Sequence, residues 1–211
     1  MTIPAKLATY HQQILGDIPG RYRSWEHCFN FFRQFATDSN AVDKQTAALH
    51  LAVYLASWGM YRGSTFLLQY DYTIHSSTTT PFSFASWSAS RNHAADAVRT
   101  AYKPFGNATD TLVTKVLLGT IGCLPAVDRF FMDGFKSRGF KCSYLNQNFV
   151  RRVMGFTHAN LDLLRLEQVR IKAISGVHYP LMKLVDMYFW QIGYEQSPEF
   201  DDSREEVPGE P

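Results

Sequence analysis

The segment from Asp110 to Phe135 constrains the fold of this chain more than any other. It comprises an apolar helix, a break between Gly122 and Pro125, and a second helix that starts near Asp128. Two charged residues, Lys115 and Asp128, lie inside a segment that is otherwise nearly all apolar. Burying a charge is costly unless the charge is paired or used. We therefore expect this segment to form part of the core, and its two charges to mark the best place to look for function.

Helical periodicity recurs along most of the rest of the chain. Apolar residues repeat at helical spacing, and no sustained alternation of apolar and polar residues predicts a strand. The helix from Asp43 to Tyr61 is apolar on most of its circumference, which is typical of a central helix. We predict an all-α single domain of about nine or ten helices over residues 1–198. Outside the central segment, the predicted helices are Pro4–Leu15, Trp25–Phe35, Asp43–Tyr61, Thr65–Tyr70, Ser90–Tyr102, Asn146–Met154, Leu161–Ile174 and Pro180–Gly193.

Two segments fall outside this helical pattern. His75–Ser90 is rich in Ser and Thr and contains Pro81, so it is predicted to be one long loop with at most a short turn. Residues 199–211 hold six acidic residues and one basic residue. Such a composition predicts a disordered acidic tail without an anchored position.

The charge balance bears on possible partners. The chain has a formal net charge of +2, and because the tail contributes −5, residues 1–198 carry +7. A moderately basic body is compatible with DNA or RNA as a partner, although it does not require one.

The three cysteines show no metal-ligand spacing and are expected to be reduced thiols. No secretory signal is visible, and the longest apolar run, Ala47–Tyr61, is too short to span a bilayer, so we expect a soluble cytoplasmic protein without membrane contact.

Several common active sites can be set aside by their missing motifs. The chain contains no Gly-rich phosphate loop, no His-Glu-x-x-His pair, no Cys-x-x-Cys and no Gly-x-Ser-x-Gly elbow. Neither a metal nor a cofactor is therefore expected. The oligomeric state is left open by the sequence.

The central segment resembles the core of the helix-hairpin-helix base-excision DNA glycosylases. The residues that carry the resemblance are Thr114-Lys115-Val116, an apolar helix, and then Pro125-Ala126-Val127-Asp128 at the start of a helix. The Leu-Pro-Gly-x-Gly of the family hairpin is absent before Lys115. The resemblance implies an all-α DNA-binding hydrolase, in which Asp128 stabilises positive charge on the sugar or activates a nucleophile. Lys115 would match the amine that forms a Schiff base in some members. On the residues alone, Asp128 could instead cap the following helix while Lys115 extends from a helix flank.

A second candidate feature lies between residues 54 and 75. Aromatic residues with polar groups surround a helix end there, which suits a pocket that stacks a planar ligand such as an extruded base. An aromatic core with satisfied hydroxyls is the alternative. The candidate substrate-binding residues are Trp58, Tyr61, Arg62, Gln69 and His75.

Asp186 is a third candidate, since it lies on or near the apolar face of the last helix. A lone acidic residue at such a place needs a basic partner. Lys183 is three residues away, while an ion pair with Arg62 or with an arginine of the 151–152 pair is the explanation that we expect. A catalytic carboxylate is the alternative.

Two further functions compete with a glycosylase. Arg152 and His158, with Gly155 interrupting the helix between them, resemble the Arg and His that HEPN-superfamily ribonucleases place on a helix face. A helical scaffold that binds protein or nucleic acid without catalysis needs no motif. Burial distinguishes an enzyme from a scaffold: an enzyme is favoured if Lys115 and Asp128 face a common cleft with the aromatic residues of 54–75. The scaffold is favoured if both face open solvent on separate surfaces.

Overall fold

The helical pattern of the sequence becomes an array of ten α-helices in the part of the chain that the structure describes. The structure is a computed structural model, and it describes residues 2–16, 21–37, 43–79, 91–142 and 144–200. No strand occurs within these ranges. The helices are α1 (Ile3–Gly16), α2 (Tyr22–Thr37), α3 (Lys44–Ser57), α4 (Ser76–Thr79), α5 (Arg91–Tyr102), α6 (Asp110–Thr120), α7 (Arg129–Ser137), α8 (Gln147–Ala159), α9 (Leu161–Ser175) and α10 (Leu181–Glu195), with 3₁₀ turns at Phe66–Gln69 and Tyr72–His75 between α3 and α4.

Two helices, α6 and α10, form the centre of the fold. Every residue from Leu112 to Thr120 and from Met182 to Gly193 is buried. Helix α6 packs against α2, α3 and α5, while α10 packs against α1, α7, α8 and α9. The prediction that the segment around α6 belongs to the core is therefore confirmed.

The prediction that α3 is a central helix is wrong. One side of α3 packs against α2, α6 and the 3₁₀ turns, but Leu49 and Val53 on its other side are 47% and 55% exposed. Small alanines supply much of the buried face of α3. The larger Met, Phe, Trp and Ile side chains of α10 itself fill the core instead.

Helices α7 and α10 cross in backbone contact through two glycines. A Cβ atom on Gly134 would lie 1.9 Å from the Phe189 carbonyl oxygen, and one on Gly193 would lie 1.9 Å from the Phe130 carbonyl oxygen. No side chain larger than hydrogen fits at either position without moving the backbone. The crossing therefore fixes the start of α7, which carries Asp128, against α10, which carries Asp186.

The two segments predicted to be irregular are only partly so. His75 ends a 3₁₀ turn, and the next four residues form α4, in which the Thr78 hydroxyl donates to the His75 carbonyl oxygen at 2.7 Å. Residues 80–90 of the predicted loop lie outside the described residues. Within the predicted tail, Glu199 accepts from Arg129 at 2.6 Å and the ring of Phe200 packs on Tyr194. These two residues therefore have anchored positions, and residues 201–211 lie outside the described part of the chain.

Candidate functional site

The connection between α6 and α7 places Lys115 opposite Asp128. Helix α6 ends at Thr120, and Gly122 two residues later has a backbone φ of +68°, in the left-handed region that favours glycine. The chain then folds back along α6, where the Thr114 hydroxyl accepts from the Val127 amide at 2.8 Å and the Thr111 hydroxyl donates to the Val127 carbonyl at 2.7 Å. The residue after Val127 therefore faces the side of α6 that carries Lys115.

Lys115 and Asp128 form a partly buried ion pair. The Lys115 Nζ atom lies 3.6 Å from Asp128 Oδ2, and their side chains are 6% and 16% exposed. Lys115 also donates to the Trp58 carbonyl oxygen at 3.2 Å, and its ammonium lies 5.1 Å from the centre of the Trp58 ring. Asp128 caps α7, because its Oδ1 atom accepts from the Phe131 amide at 3.0 Å. The capping role expected as an alternative and the pairing with Lys115 therefore coexist.

A second ion pair, Lys183 with Asp186, lies deeper in the core. The Lys183 Nζ atom is 2.9 Å from Asp186 Oδ2 and 3.3 Å from the Tyr10 hydroxyl. Asp186 Oδ1 accepts from the Ala126 amide at 2.9 Å. The expected partners of Asp186, Arg62 or an arginine at 151–152, are wrong, because the spacing of three residues on α10 already brings Lys183 to the carboxylate.

Burial shifts the pKa values of Lys115 and Asp128, which we call the outer pair, in the directions that favour their uncharged forms. Burial lowers the pKa of Lys115 below its usual value, and the nearby carboxylates of Asp128 and Asp186 oppose that shift. Burial raises the pKa of Asp128, which the charge of Lys115 opposes and the charge of Asp186 reinforces. The pKa of the buried Tyr10 hydroxyl is also raised, by burial and then by Asp186. A buried amine and carboxyl with such shifts are typical of groups that transfer protons or attack a substrate.

Aromatic rings enclose the charges. The Lys183 ammonium lies 5.0 Å to 5.7 Å from the ring centres of Tyr10, Trp25 and Trp58. Trp58 in turn meets Tyr22 edge to face at 5.6 Å and Trp190 at 6.3 Å. The indole Nε1 of Trp58 is buried, and no acceptor among the described residues is within hydrogen-bonding distance of it. An unpaired buried N–H is costly, so this indole lowers the stability of the packing around the two ion pairs.

Tyr61 and His75 form a separate hydrogen-bonded cluster with Tyr102. The Tyr61 hydroxyl lies 2.6 Å from His75 Nε2, and His75 Nδ1 lies 2.5 Å from the Tyr102 hydroxyl. Burial lowers the pKa of His75 to about 4, and burial raises the pKa of Tyr61 to about 12. The neutral imidazole therefore accepts from one tyrosine and donates to the other. This cluster matches the alternative expectation of an aromatic core with satisfied hydroxyls.

The remaining candidates lie on the surface. Arg62 and Gln69 are exposed near the end of α3 and in the first 3₁₀ turn. Arg152 and His158 are exposed on α8, which continues unbroken through Gly155, so the predicted interruption is wrong. Six residues correspond to about 600° of rotation, so the two side chains point about 120° apart around the helix axis. They do not share a helix face.

The sequence did not indicate which further aromatic residues surround the two ion pairs together with Trp25 and Trp58. We call this set of rings the aromatic enclosure. Tyr10, Tyr22 and Trp190 come from α1, α2 and α10, and each contacts another ring of the enclosure. The only available signal was the apolar periodicity of their helices, which indicates burial and not which residues meet. Arg21, whose guanidinium lies 5.5 Å from the centre of the Trp58 ring, had no signal at all.

Neither a search for metal-binding side chains nor comparison with known proteins identifies a function for this site. No group of three or more His, Cys, Asp or Glu side chains within the described ranges could hold a metal ion. The three cysteines are not joined in disulfides. No helix in the described ranges is long and apolar enough to cross a bilayer. The comparisons with protein-family models, curated proteins and solved structures gave no match.

Proposed function

We propose that this protein binds a nucleic-acid base or a similar nucleoside-type substrate and hydrolyses its N-glycosidic bond at Lys115 and Asp128. The observation that carries the proposal is the ion pair between these two residues beside Trp58, with 3.6 Å between Nζ and Oδ2. This arrangement agrees with the expectation drawn from the helix-hairpin-helix glycosylases. Lys115 and Asp128 share one partly buried position beside Trp58 and do not face solvent on separate surfaces.

The two ion pairs differ in a way that assigns chemistry to the outer one. Lys183 and Asp186 are 3% and 5% exposed and are joined at 2.9 Å. The outer pair is longer, and Asp128 is 16% exposed. A water molecule or substrate atom can reach Asp128 more easily than it can reach Asp186. We therefore assign the reaction to the outer pair and a supporting role to the inner pair.

The proposed reaction transfers one proton to Asp128. Its carboxylate accepts a proton from a water molecule while the water oxygen bonds to C1′ of the sugar and the C1′–N bond breaks. The base leaves with the electron pair of that bond and takes up a proton. The negative charge of Asp128 also stabilises the positive charge that develops on the sugar. Trp58 would contact the base, and Lys115 keeps Asp128 ionised or, as a neutral amine, attacks C1′ itself.

The direct test is base release from oligonucleotides and nucleosides by the native protein and by Asp128→Asn. Loss of a positioned general base lowers rates by about 10²–10⁴-fold. Asp133→Asn is the matched control, because Asp133 is an exposed carboxylate on the same helix. Helical content measured by circular dichroism must be unchanged in both variants. A folded Asp128→Asn protein that releases bases at the native rate would refute the assignment.

Lys115→Gln distinguishes the two roles of the lysine. If Lys115 attacks C1′, borohydride traps a covalent complex with the native protein and none with the variant. If Lys115 only orients Asp128, neither protein is trapped and base release is slowed without being abolished. Unchanged base release and trapping in the folded variant would exclude Lys115 from the reaction.

The alternative function is a non-enzymatic helical scaffold that binds protein or nucleic acid. One observation favours it: each of the four buried charges already has a partner within the protein. The charge of +7 on residues 1–198 suggests DNA or RNA as the partner in either case. Binding to a duplex and to a single strand should then weaken steeply as salt rises. Absence of binding to both at low salt would exclude a nucleic-acid partner.

A further inference from the structure

We infer that the ligand of this site carries a phosphate group and that the guanidinium of Arg21, which lies 5.5 Å from the centre of the Trp58 ring, binds it. The inference rests on the proposed function and narrows its substrate from a nucleoside to a nucleotide. Both a free nucleoside monophosphate and a nucleotide unit of a nucleic acid supply this chemistry.

Arg21 occupies an exposed position at the edge of the aromatic enclosure. It precedes α2 directly, and its Cζ atom lies 5.6 Å from the ring centre of Tyr22 and 5.5 Å from that of Trp58. Among the described residues, no carboxylate pairs with its guanidinium. By contrast, Arg99, Arg129 and Arg170 each pair with an acidic residue. An arginine held by two rings, with its donors unused by a carboxylate, is suited to bidentate binding of phosphate.

Arg21 also lies close enough to the outer ion pair for one ligand to reach both. The Lys115 ammonium is 5.1 Å from the Trp58 ring centre and the Arg21 guanidinium is 5.5 Å from it. The two groups are therefore separated by no more than the sum of these distances. A single nucleotide, with its sugar at Asp128, has a phosphate within such a span. A longer ligand is not needed to connect the two charges.

The charges around the Trp58 ring favour an anion. Lys115 and Lys183 balance Asp128 and Asp186 in charge, so Arg21 leaves the site with a surplus of one positive charge. The N-terminus of α2 lies next to Arg21, because Tyr22 is the first residue of that helix. Helix N-termini carry partial positive charge.

Arg21 would move when a base enters. Among the described residues, three cations lie within 6 Å of the centre of the Trp58 ring; Lys115 and Lys183 are buried and Arg21 is exposed. A planar base that approaches Trp58 from solvent therefore meets the guanidinium first and displaces it from the ring. The displaced guanidinium then reaches the phosphate of the same ligand.

The test compares binding of the common nucleosides, their 5′-monophosphates and a short single-stranded oligonucleotide to the full chain. Tryptophan fluorescence reports occupancy, because Trp58 lies in the site. We expect the monophosphate to bind more tightly than its nucleoside. Arg21→Gln should weaken monophosphate binding by about tenfold to hundredfold, as expected for a charge-assisted hydrogen bond. It should not weaken nucleoside binding, because the base no longer has to displace a guanidinium from Trp58. Tighter binding of the oligonucleotide than of the monophosphate would assign the phosphate to a nucleic acid.

Arg33→Gln is the matched control for the lost charge. Arg33 is an exposed arginine of α2 whose guanidinium lies 6.0 Å from the ring centre of Phe29, and its replacement should change none of the affinities. Equal binding of nucleosides and monophosphates, or equal weakening by both arginine variants, would overturn the role of Arg21 and leave the proposed function standing. If nucleosides, monophosphates and the oligonucleotide all fail to bind, the proposed function fails, and this inference fails with it.

Discussion

Replacing Asp128 by Asn removes the carboxylate that faces Lys115 and keeps a side chain that can cap α7. Asn caps a helix about as well as Asp does, so the bond from the Phe131 amide should persist. The ion pair with Lys115 is lost. The substitution therefore isolates what the charge of Asp128 contributes to the stability of the fold.

The expected loss of stability at neutral pH is about 2–3 kcal/mol. Removing one partner of a fully buried ion pair costs about 3–5 kcal/mol, because the other charge is left buried and unpaired. Here the cost is smaller, since Asp128 is 16% exposed and Lys115 keeps its bond to the Trp58 carbonyl oxygen. A typical domain has about 5–15 kcal/mol of stability, so the variant should still fold.

The loss should shrink as the pH rises toward 10. The folded-state pKa of Lys115 lies below its usual value of 10.5, so between these two values the unfolded chain binds more protons than the folded protein, and stability rises with pH. Asp128 opposes the lowering, and its removal moves the folded pKa of Lys115 further down. The rise in stability then begins at a lower pH in the variant, and the variant approaches the native protein.

Urea unfolding at pH 7 and pH 10, followed by circular dichroism, measures the loss of stability at neutral pH and its decrease at high pH. Asp133→Asn on the exposed face of α7 is the control and should lose less than about 0.5 kcal/mol. The double variant Lys115→Met with Asp128→Asn should recover most of the loss, because it leaves no buried charge unpaired. A loss of the same size at both pH values, or no recovery in the double variant, would refute the view that Lys115 is a charged, buried partner of Asp128.

Two other substitutions test the packing and the second polar cluster. Gly193→Ala should cost about 3 kcal/mol in urea unfolding, because its Cβ atom would lie 1.9 Å from the Phe130 carbonyl oxygen. Gly155→Ala, in the middle of α8 with no atom within 4 Å of the new Cβ, should instead stabilise by about 0.5–1 kcal/mol, and equal effects of the two would refute the close crossing. Because burial lowers the pKa of His75 to about 4, the unfolded chain binds more protons between pH 6.5 and 4, and the native protein should lose about 3 kcal/mol of stability across this window. The variant His75→Phe should lack that component, and identical acid sensitivity of the two proteins would contradict the burial of a neutral His75.

The local features of the site could be predicted because short-range spacing determines them. The break at Gly122 and Pro125 reverses the chain, so a lysine on α6 and an acidic residue at the start of α7 are brought to the same side. The cap at Asp128 follows from its position before Arg129, the first residue of α7. The spacing of three residues on one helix made Lys183 available as a partner of Asp186, although the partner that we expected, Arg62 or an arginine at 151–152, was wrong.

The long-range features could not be predicted, for physical reasons. Apolar periodicity gives the face that a helix buries and not the helix it meets, which is why α3 was assigned to the centre that α6 and α10 occupy. The close crossing at Gly134 and Gly193 depends on two glycines 59 positions apart that meet only in the folded state. Glycine at position 155 has low helix propensity, yet α8 continues through it, because packing of one face can outweigh a cost of about 1 kcal/mol.

The hydrogen bonds of the two carboxylates explain why a lysine, more than an acid, is the adjustable group of this site. Asp186 is fixed by the Ala126 amide and Asp128 by the Phe131 amide, so the backbone around the start of α7 holds both acids in place. Lys183 is held at 2.9 Å from its carboxylate, whereas Lys115 is 3.6 Å from Asp128 and 3.2 Å from the Trp58 carbonyl oxygen. Lys115 therefore has the weakest bonds of the four charges and loses least when it turns toward a ligand. A substrate that enters beside Trp58 would reorganise Lys115 and find Asp128 already in position, which is the preorganisation that a general base requires.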